Sequence, residues 1–147
     1  MNLISQLATG GAMIGLTVVI HAVTLDFIIR HAGKAERFFL HTAGIIGKPL
    51  AACAIVTAVF SSHIAQIWIW AGLYLGLSCA PLEGISDAIY FATVTYTTLG
   101  YGDITLGTSC RMLSGIEAAN GFIMFGWTTA FIFEVMSRIY RHEIRSL

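Results

Sequence analysis

The sequence predicts an all-α membrane protein with three transmembrane helices and one shorter helix that enters the membrane without crossing it. Of the 147 residues, 56% are hydrophobic and only 11% are charged, with a mean hydropathy of +0.78. That composition excludes an ordinary water-soluble domain. Three apolar stretches reach the roughly 20 residues that a helix needs to cross about 30 Å of hydrocarbon. A fourth, residues 85–98, is too short to cross.

The three predicted spans cover about residues 3–29, 50–77 and 112–135. His21 and Asp26 interrupt the first span, and no basic residue precedes it, so we interpret it as a retained anchor and not as a signal peptide. Residues 33–47 mix aromatic with charged side chains, which suits a short interfacial helix or a plain loop equally well.

Charge predicts the orientation of these spans. Basic residues gather between the first two spans and after the third, so both regions are expected in the cytoplasm and the amino terminus outside. These residues are Arg30, Lys34, Arg37, Lys48, Arg138, Arg141 and Arg145. The expected location is a plasma or inner membrane. The charges of the eight basic and eight acidic residues sum to zero, so the net charge does not indicate a nucleic-acid partner.

The segment between the second and third spans combines a short helix with a glycine-containing strand. Pro81 and Gly84 end the preceding helix, Ser86 is the predicted N-cap, and Asp87 favours the first turn. Residues 89–97 make about three turns, which is half the depth of the membrane. The chain that follows must stay inside protein or beside water, because irregular backbone cannot face lipid.

This strand resembles the pore signature of potassium channels. Residues 97–103 read Thr-Thr-Leu-Gly-Tyr-Gly-Asp and match the family's T-T-V/I-G-Y-G-D at every position but one, between two spans as the family requires. The resemblance extends more weakly over about residues 50–141. It divides the chain into an extra transmembrane helix with a cytoplasmic linker, residues 1–48, and a pore domain, residues 49–147, with outer helix, pore helix, filter and inner helix.

The resemblance implies a homotetramer in membrane lipid that conducts K⁺ passively and has no enzymatic activity. K⁺ would bind the carbonyl oxygens of Thr98, Leu99, Gly100 and Tyr101 and the Thr98 hydroxyl, and Gly102 would complete the filter. Rings of these oxygens replace the hydration shell of the ion. The carboxyl end of the pore helix near Thr97 would add a favourable field. No cofactor beyond the filter K⁺ is implied.

Departures from the family pattern identify expected filter supports. Leu99 replaces the usual Val or Ile, which puts strict selectivity in question, and Val94 stands where many small relatives carry a bracing Glu. We therefore expect the Tyr90 hydroxyl to brace Asp103. Glu117, inside the third span, is expected behind the filter against Thr95, Tyr96 or Thr97, since a carboxylate there needs a partner.

The third span carries an expected hinge and gate. Alignment on Arg111 places Gly121 at the family's hinge glycine, and close helix packing is the alternative. One helix face from that point contains Phe122, Phe125, Thr129 and Phe133. The face is expected to line the cavity, with a hydrophobic gate near its end, and ordinary core packing is the alternative.

Other interpretations stay open. The chain could be a weakly selective cation channel, or a non-conducting membrane subunit or anchor with a vestigial filter. His21 and His63 could suggest a haem or metal enzyme, but they are expected at different depths, and polar contacts are favoured. Cys79 and Cys110 either pair or stay small unpaired residues. The first span either packs around the tetramer or recruits an unidentified regulatory subunit.

Overall fold

The computed structural model describes residues 1–43, 46–77 and 82–140. These residues form four helices, α1 (Leu3–Ala43), α2 (Gly47–Leu77), α3 (Ile85–Tyr96) and α4 (Arg111–Ile139), and contain no strand. Three of the helices are long and apolar enough to cross a membrane, and within α1 that part is Leu3–Lys34. The predicted all-α class with three spanning helices is therefore confirmed.

Helix α1 is longer than predicted, because it continues without a break to Ala43. Most of the expected interfacial helix or loop is its carboxyl-terminal part, since the segment contains no proline to end the helix. Asp26, which interrupts the apolar run, lies 2.6 Å from Arg30 one turn later, so the two charges offset each other.

Helix α1 lies along both α2 and α4, whereas α2 and α4 meet each other over a much shorter stretch. The short helix α3 packs against α2 and α4. A buried cluster beneath α3 includes Trp70, Tyr74, Phe91, Leu113 and Met124. A second cluster at the opposite end joins α1, α2 and α4 through Leu25, Ile28, Ile55, Val59 and Val135.

Polar contacts fix α1 to α4 at separate heights. The Met112 amide donates to the Gln6 side-chain oxygen at 3.0 Å, so a side chain of α1 satisfies a free amide at the start of α4. Further along, the Asn120 amide donates to the Thr17 hydroxyl at 2.9 Å. The extra helix is therefore packed against the remaining helices of its own chain and does not stand apart from them.

Candidate functional site

Helix α3 begins earlier than predicted. Its N-cap is Gly84, with no side-chain capping hydrogen bond, so Ser86 lies in the first turn and the prediction that it caps the helix was wrong. Asp87 is in the first turn as predicted, and its carboxylate accepts the Glu83 amide at 3.1 Å. Twelve residues span about 18 Å, roughly half of the thickness of a membrane, and Thr97 is the C-cap of α3.

The backbone after α3 changes handedness at every second residue. The φ angle is positive at Thr98 (60°), Gly100 (54°) and Gly102 (78°), and it is not positive at Leu99 or Tyr101. Such alternation gathers successive N–H groups on one side of the strand and carbonyl groups on the other. A β-branched residue at positive φ is strained by about 1–3 kcal/mol, and such strain is typical of functional sites.

The hydrogen bonds show which side faces α3. The Thr98 amide donates to the Thr95 carbonyl at 2.9 Å, and the Gly100 amide donates to the Val94 carbonyl at 3.0 Å. The Thr98 and Gly100 amides therefore point toward the last turn of α3. Within the described residues, no group donates to the carbonyl oxygens of residues 98–101. Those oxygens are available to an ion.

The strand is open in the single chain. Leu99 is 55% and Tyr101 67% exposed, and the residues from Thr97 to Asp103 are all exposed. Beside the strand lies an open groove of about 550 Å³, bounded by α3, the strand and the start of α4. Its walls include Phe91, Val94, Gly102, Arg111 and Ser114.

The expected bond between Tyr90 and Asp103 is present. The Tyr90 hydroxyl donates to the Asp103 carboxylate at 2.7 Å, across the outer end of the strand. This bond, with the amides of Asp103 and Ile104, lowers the pKa of Asp103, and the same bond raises the pKa of Tyr90. The geometry fits a brace between α3 and the strand, whereas its effect on filter stability stays a prediction.

Glu117 has a different partner from the one expected. It is fully buried, and its carboxyl oxygen accepts the Tyr74 hydroxyl of α2 at 2.6 Å. No hydrogen bond joins it to residues 95–97, and in the described part of the chain its second oxygen has no partner. Sequence spacing identified a buried carboxylate but could not show that α2 turns a tyrosine toward it. Thr97 is held locally, since its hydroxyl donates to the Thr93 carbonyl at 2.7 Å.

Gly121 meets the end of α3. A methyl group added at Gly121 would lie 2.0 Å from the Tyr96 carbonyl oxygen and 2.8 Å from the carbonyl carbon. Helix α4 continues through this position. In this conformation the glycine permits close packing, which was the alternative interpretation, and its role as a hinge stays a prediction.

The expected pore-lining face is only partly correct. Phe122, Thr129 and Phe133 are exposed, with Phe122 at 71% and Phe133 at 74%, so they lie on one open face of α4. Phe125 does not share that face. Its ring stacks on His63 at 4.6 Å and meets the edge of the Tyr96 ring at 5.6 Å, because α4 turns this position toward α2 and α3.

The two membrane histidines are neighbours, so the prediction that they lie at different depths was wrong. The His21 and His63 rings are 5.1 Å apart, and both are buried. Helices longer than the bilayer can tilt, and residue counting then misplaces depth. The favoured polar contacts are present, and the described residues hold no cluster of three metal-ligating side chains. Cys79 lies outside the described residues, so its pairing with Cys110 stays a prediction.

Comparison with known proteins agrees with this geometry. A family model described as "ion channel" matches residues 58–138. A protein named two pore potassium channel c, from Oryza sativa subsp. japonica, is 34% identical over 80 residues, covering 50% of this chain and 17% of the relative. The chain thus corresponds to a small part of that relative. No solved structure matches it significantly.

The fold, the strand and the family match together identify the kind of protein. Three helices long enough to span a membrane, a shorter helix packed against two of them, and the match to an ion-channel family model make this a multi-pass membrane protein of the channel class, not an enzyme. More specifically, the chain belongs to the ion-channel family of potassium-channel pore domains. The match begins within α2, so α1 lies outside it.

Proposed function

We propose that this chain forms a homotetrameric channel that conducts K⁺ selectively through the carbonyl oxygens of Thr98, Leu99, Gly100 and Tyr101. The observation that carries the proposal is the strand with alternating φ, which follows a helix of half-membrane length and leaves its carbonyl groups unpaired. Carbonyl oxygens in fixed rings can replace the water around a dehydrated K⁺ ion. With Gly102, these residues form the proposed filter.

The same strand supports an assembly of several chains. One chain supplies one carbonyl oxygen at each level, too few to replace a hydration shell. Irregular backbone with unpaired carbonyl groups also cannot face lipid. Four copies around one axis satisfy both requirements, since neighbouring chains would cover the open groove and the exposed side chains of Leu99 and Tyr101.

Electrostatics support cation entry. The carboxyl end of α3 carries about half a negative charge, and four such ends would converge beneath the filter. At the other end, the lowered pKa of Asp103 keeps its carboxylate ionised at neutral pH. Phe122, Thr129 and Phe133 would line the cavity on the opposite side of the filter, with the phenylalanine rings as a hydrophobic gate.

The proposed setting is a plasma or inner membrane, with the amino terminus outside and the carboxyl terminus in the cytoplasm. The division at residues 48 and 49 and an unidentified regulatory subunit stay predictions. No cofactor is proposed apart from K⁺ in the filter.

The test is K⁺ flux into vesicles that contain the purified full chain. Gly100→Ala should abolish flux, because Gly100 has a φ of +54° that an alanine adopts only under strain. Gly72→Ala is the matched control, since a methyl group there meets nothing within 4 Å. Equal flux in Gly100→Ala and wild type would refute the pore assignment.

Two further measurements separate the alternatives. Reversal potentials in mixed K⁺ and Na⁺ should follow the K⁺ gradient. A reversal potential that stays the same when Na⁺ replaces K⁺ would identify a weakly selective cation channel, as the leucine at position 99 allows. No flux at all would favour a non-conducting membrane subunit. Cross-linking should give tetramers, and a stable monomer or dimer would contradict the proposed assembly.

A further inference from the structure

Five buried polar side chains form a closed ring that joins all four helices. Each is between 0% and 9% exposed. We name this set the polar ring, and its members are His21 of α1, His63 and Gln66 of α2, Tyr96 of α3 and Thr128 of α4.

Every neighbouring pair in the polar ring is within hydrogen-bond distance. The Gln66 amide nitrogen lies 3.3 Å from His21 Nδ1, and His21 Nε2 lies 3.2 Å from Thr128 Oγ1. Thr128 Oγ1 is 2.8 Å from His63 Nε2, and His63 Nδ1 is 3.2 Å from the Tyr96 hydroxyl. The Tyr96 hydroxyl closes the ring by donating to the Gln66 amide oxygen at 2.8 Å.

One proton assignment satisfies all five bonds. The Gln66 amide donates to His21, which donates to Thr128, which donates to His63, which donates to Tyr96, which donates back to Gln66. Each member then donates once and accepts once, with one proton on each imidazole. Reversing the amide and both imidazole tautomers gives the same ring in the opposite direction.

One further hydroxyl lies close to the polar ring. Ser62 lies 3.2 Å from His21 Nδ1, but its hydroxyl proton goes to the Val59 carbonyl at 2.7 Å. Aromatic rings also pack against the two imidazoles, with Trp127 against His21 and Phe125 against His63. A break at one point would leave buried donors and acceptors without their hydrogen-bond partners, which costs free energy.

The polar ring meets the filter through Tyr96. This residue ends α3, two positions before Thr98, and its carbonyl oxygen lies against Gly121 of α4. Its hydroxyl forms hydrogen bonds with Gln66 and His63 of α2. His63 is hydrogen-bonded in turn to Thr128 of α4, and Thr128 to His21 of α1. These hydrogen bonds connect the residue at the end of α3 to a helix outside the family match.

We propose that the polar ring is a positioning unit for the filter, through which α1 fixes the carboxyl end of α3. Its members contact no ion and act through Tyr96. The inference rests on the proposed function, because it concerns the geometry of the same carbonyl strand. It gives α1 a definite role within the channel.

The experiment uses isosteric changes in the full chain. Thr128→Val removes a hydroxyl and keeps the shape, Thr128→Ser retains the hydroxyl, and Tyr96→Phe opens the ring at a second point. Thr17→Val is the matched control, since it removes another buried bond between α1 and α4 outside the ring. The readouts are the K⁺/Na⁺ permeability ratio in vesicles and the K⁺-dependent rise in tetramer melting temperature.

Thr128→Val and Tyr96→Phe should each lower the permeability ratio about threefold or more, a size in the range of couplings within one hydrogen-bond network. Both should also reduce the K⁺-dependent rise in melting temperature. Thr128→Ser and Thr17→Val should change neither readout. In the double variant Thr128→Val and Tyr96→Phe, the permeability ratio should fall by less than the product of the two single-variant factors. The first substitution already opens the polar ring, so the second has less to remove.

Several results would overturn the inference. Unchanged ratios in both ring-opening variants, while Gly100→Ala still abolishes flux, would refute it and leave the proposed function standing. An equal fall of the permeability ratio in Thr17→Val would show that the effect comes from helix packing in general and not from the polar ring. Failure of both ring-opening variants to form tetramers would assign the ring to assembly and not to positioning. A wild type with neither flux nor K⁺-dependent stabilisation would refute the proposed function and this inference with it.

Discussion

Gly121→Ala tests whether this glycine serves packing or bending. The added methyl group would lie 2.0 Å from the Tyr96 carbonyl oxygen, far inside van der Waals contact. The obstacle is backbone at the end of α3, held by the polar ring, so it cannot move aside as a flexible side-chain end could. Helix α4 and the carboxyl end of α3 would have to separate.

The magnitude follows from two opposing effects. Alanine in place of glycine stabilises a helix interior by about 1 kcal/mol. Overpacking a close contact costs about 1–3 kcal/mol, and a clash with backbone belongs at the upper end. We expect Gly121→Ala to lower the free energy of unfolding by about 2 kcal/mol net. For a chain of this size that corresponds to a fall in melting temperature of about 4–8 °C.

The assay is thermal unfolding of the purified protein in detergent, with Gly126→Ala as control. Gly126 lies in the same helix, and a methyl group there meets nothing within 4 Å. That variant should be as stable as wild type, or more stable by up to about 1 kcal/mol. If Gly121→Ala were as stable as Gly126→Ala and changed only channel opening, the packing argument would be refuted and a hinge favoured.

The remaining predictions concern three polar contacts. Tyr90→Phe should lower filter stability at neutral pH. Because the Tyr90 bond lowers the pKa of Asp103, the stability that this bond contributes is present above the ordinary pKa of an aspartate and is lost as the pH falls through the lowered pKa. Plots of stability against pH for the variant and the wild type should therefore converge in acid. Tyr74→Phe should cost about 1–3 kcal/mol, since it leaves Glu117 buried without its hydrogen bond, whereas Glu117→Gln keeps an acceptor and should cost less in thermal unfolding. Gln6→Leu should destabilise the contact of α1 with α4 by about 1 kcal/mol, visible as faster hydrogen exchange at the start of α4.

Each of these has a contrary outcome. Parallel stability profiles of Tyr90→Phe and wild type down to acid pH would show that the bond to Asp103 does not brace the filter. A larger loss in Glu117→Gln than in Tyr74→Phe would mean that the carboxyl group serves another partner. Unchanged exchange in Gln6→Leu, with Leu3→Ala as an exposed control, would remove Gln6 from the docking of α1.

The features that could be predicted are those set by residues close together in the chain. Span number follows from the length of each apolar stretch, and the three spans are confirmed. The strand geometry follows from Gly100 and Gly102, which adopt positive φ at low cost, although the same angle at Thr98 gave no sequence signal. The bond of Tyr90 to Asp103 was predictable because both ends belong to one short segment.

Apart from the N-cap of α3, which is Gly84 and not Ser86, the wrong predictions concern partners across helices. Glu117 was assigned to α3 and bonds to Tyr74 of α2. Phe125 was assigned to the pore face and packs on His63. Periodicity places a side chain on one face of its own helix, but the rotation and tilt of each helix are set by packing against the others.

The three spans, the half-length helix and the glycine-containing strand could be predicted from the residue order, because hydrocarbon thickness and backbone conformation constrain residues that are adjacent in the chain. The packing of α1 against both α2 and α4, and the hydrogen bond between His21 and Thr128, 107 positions apart, could be learned only from the folded chain. The reason is that buried polar groups in a membrane must find partners wherever packing brings them, and packing is a property of all the helices together.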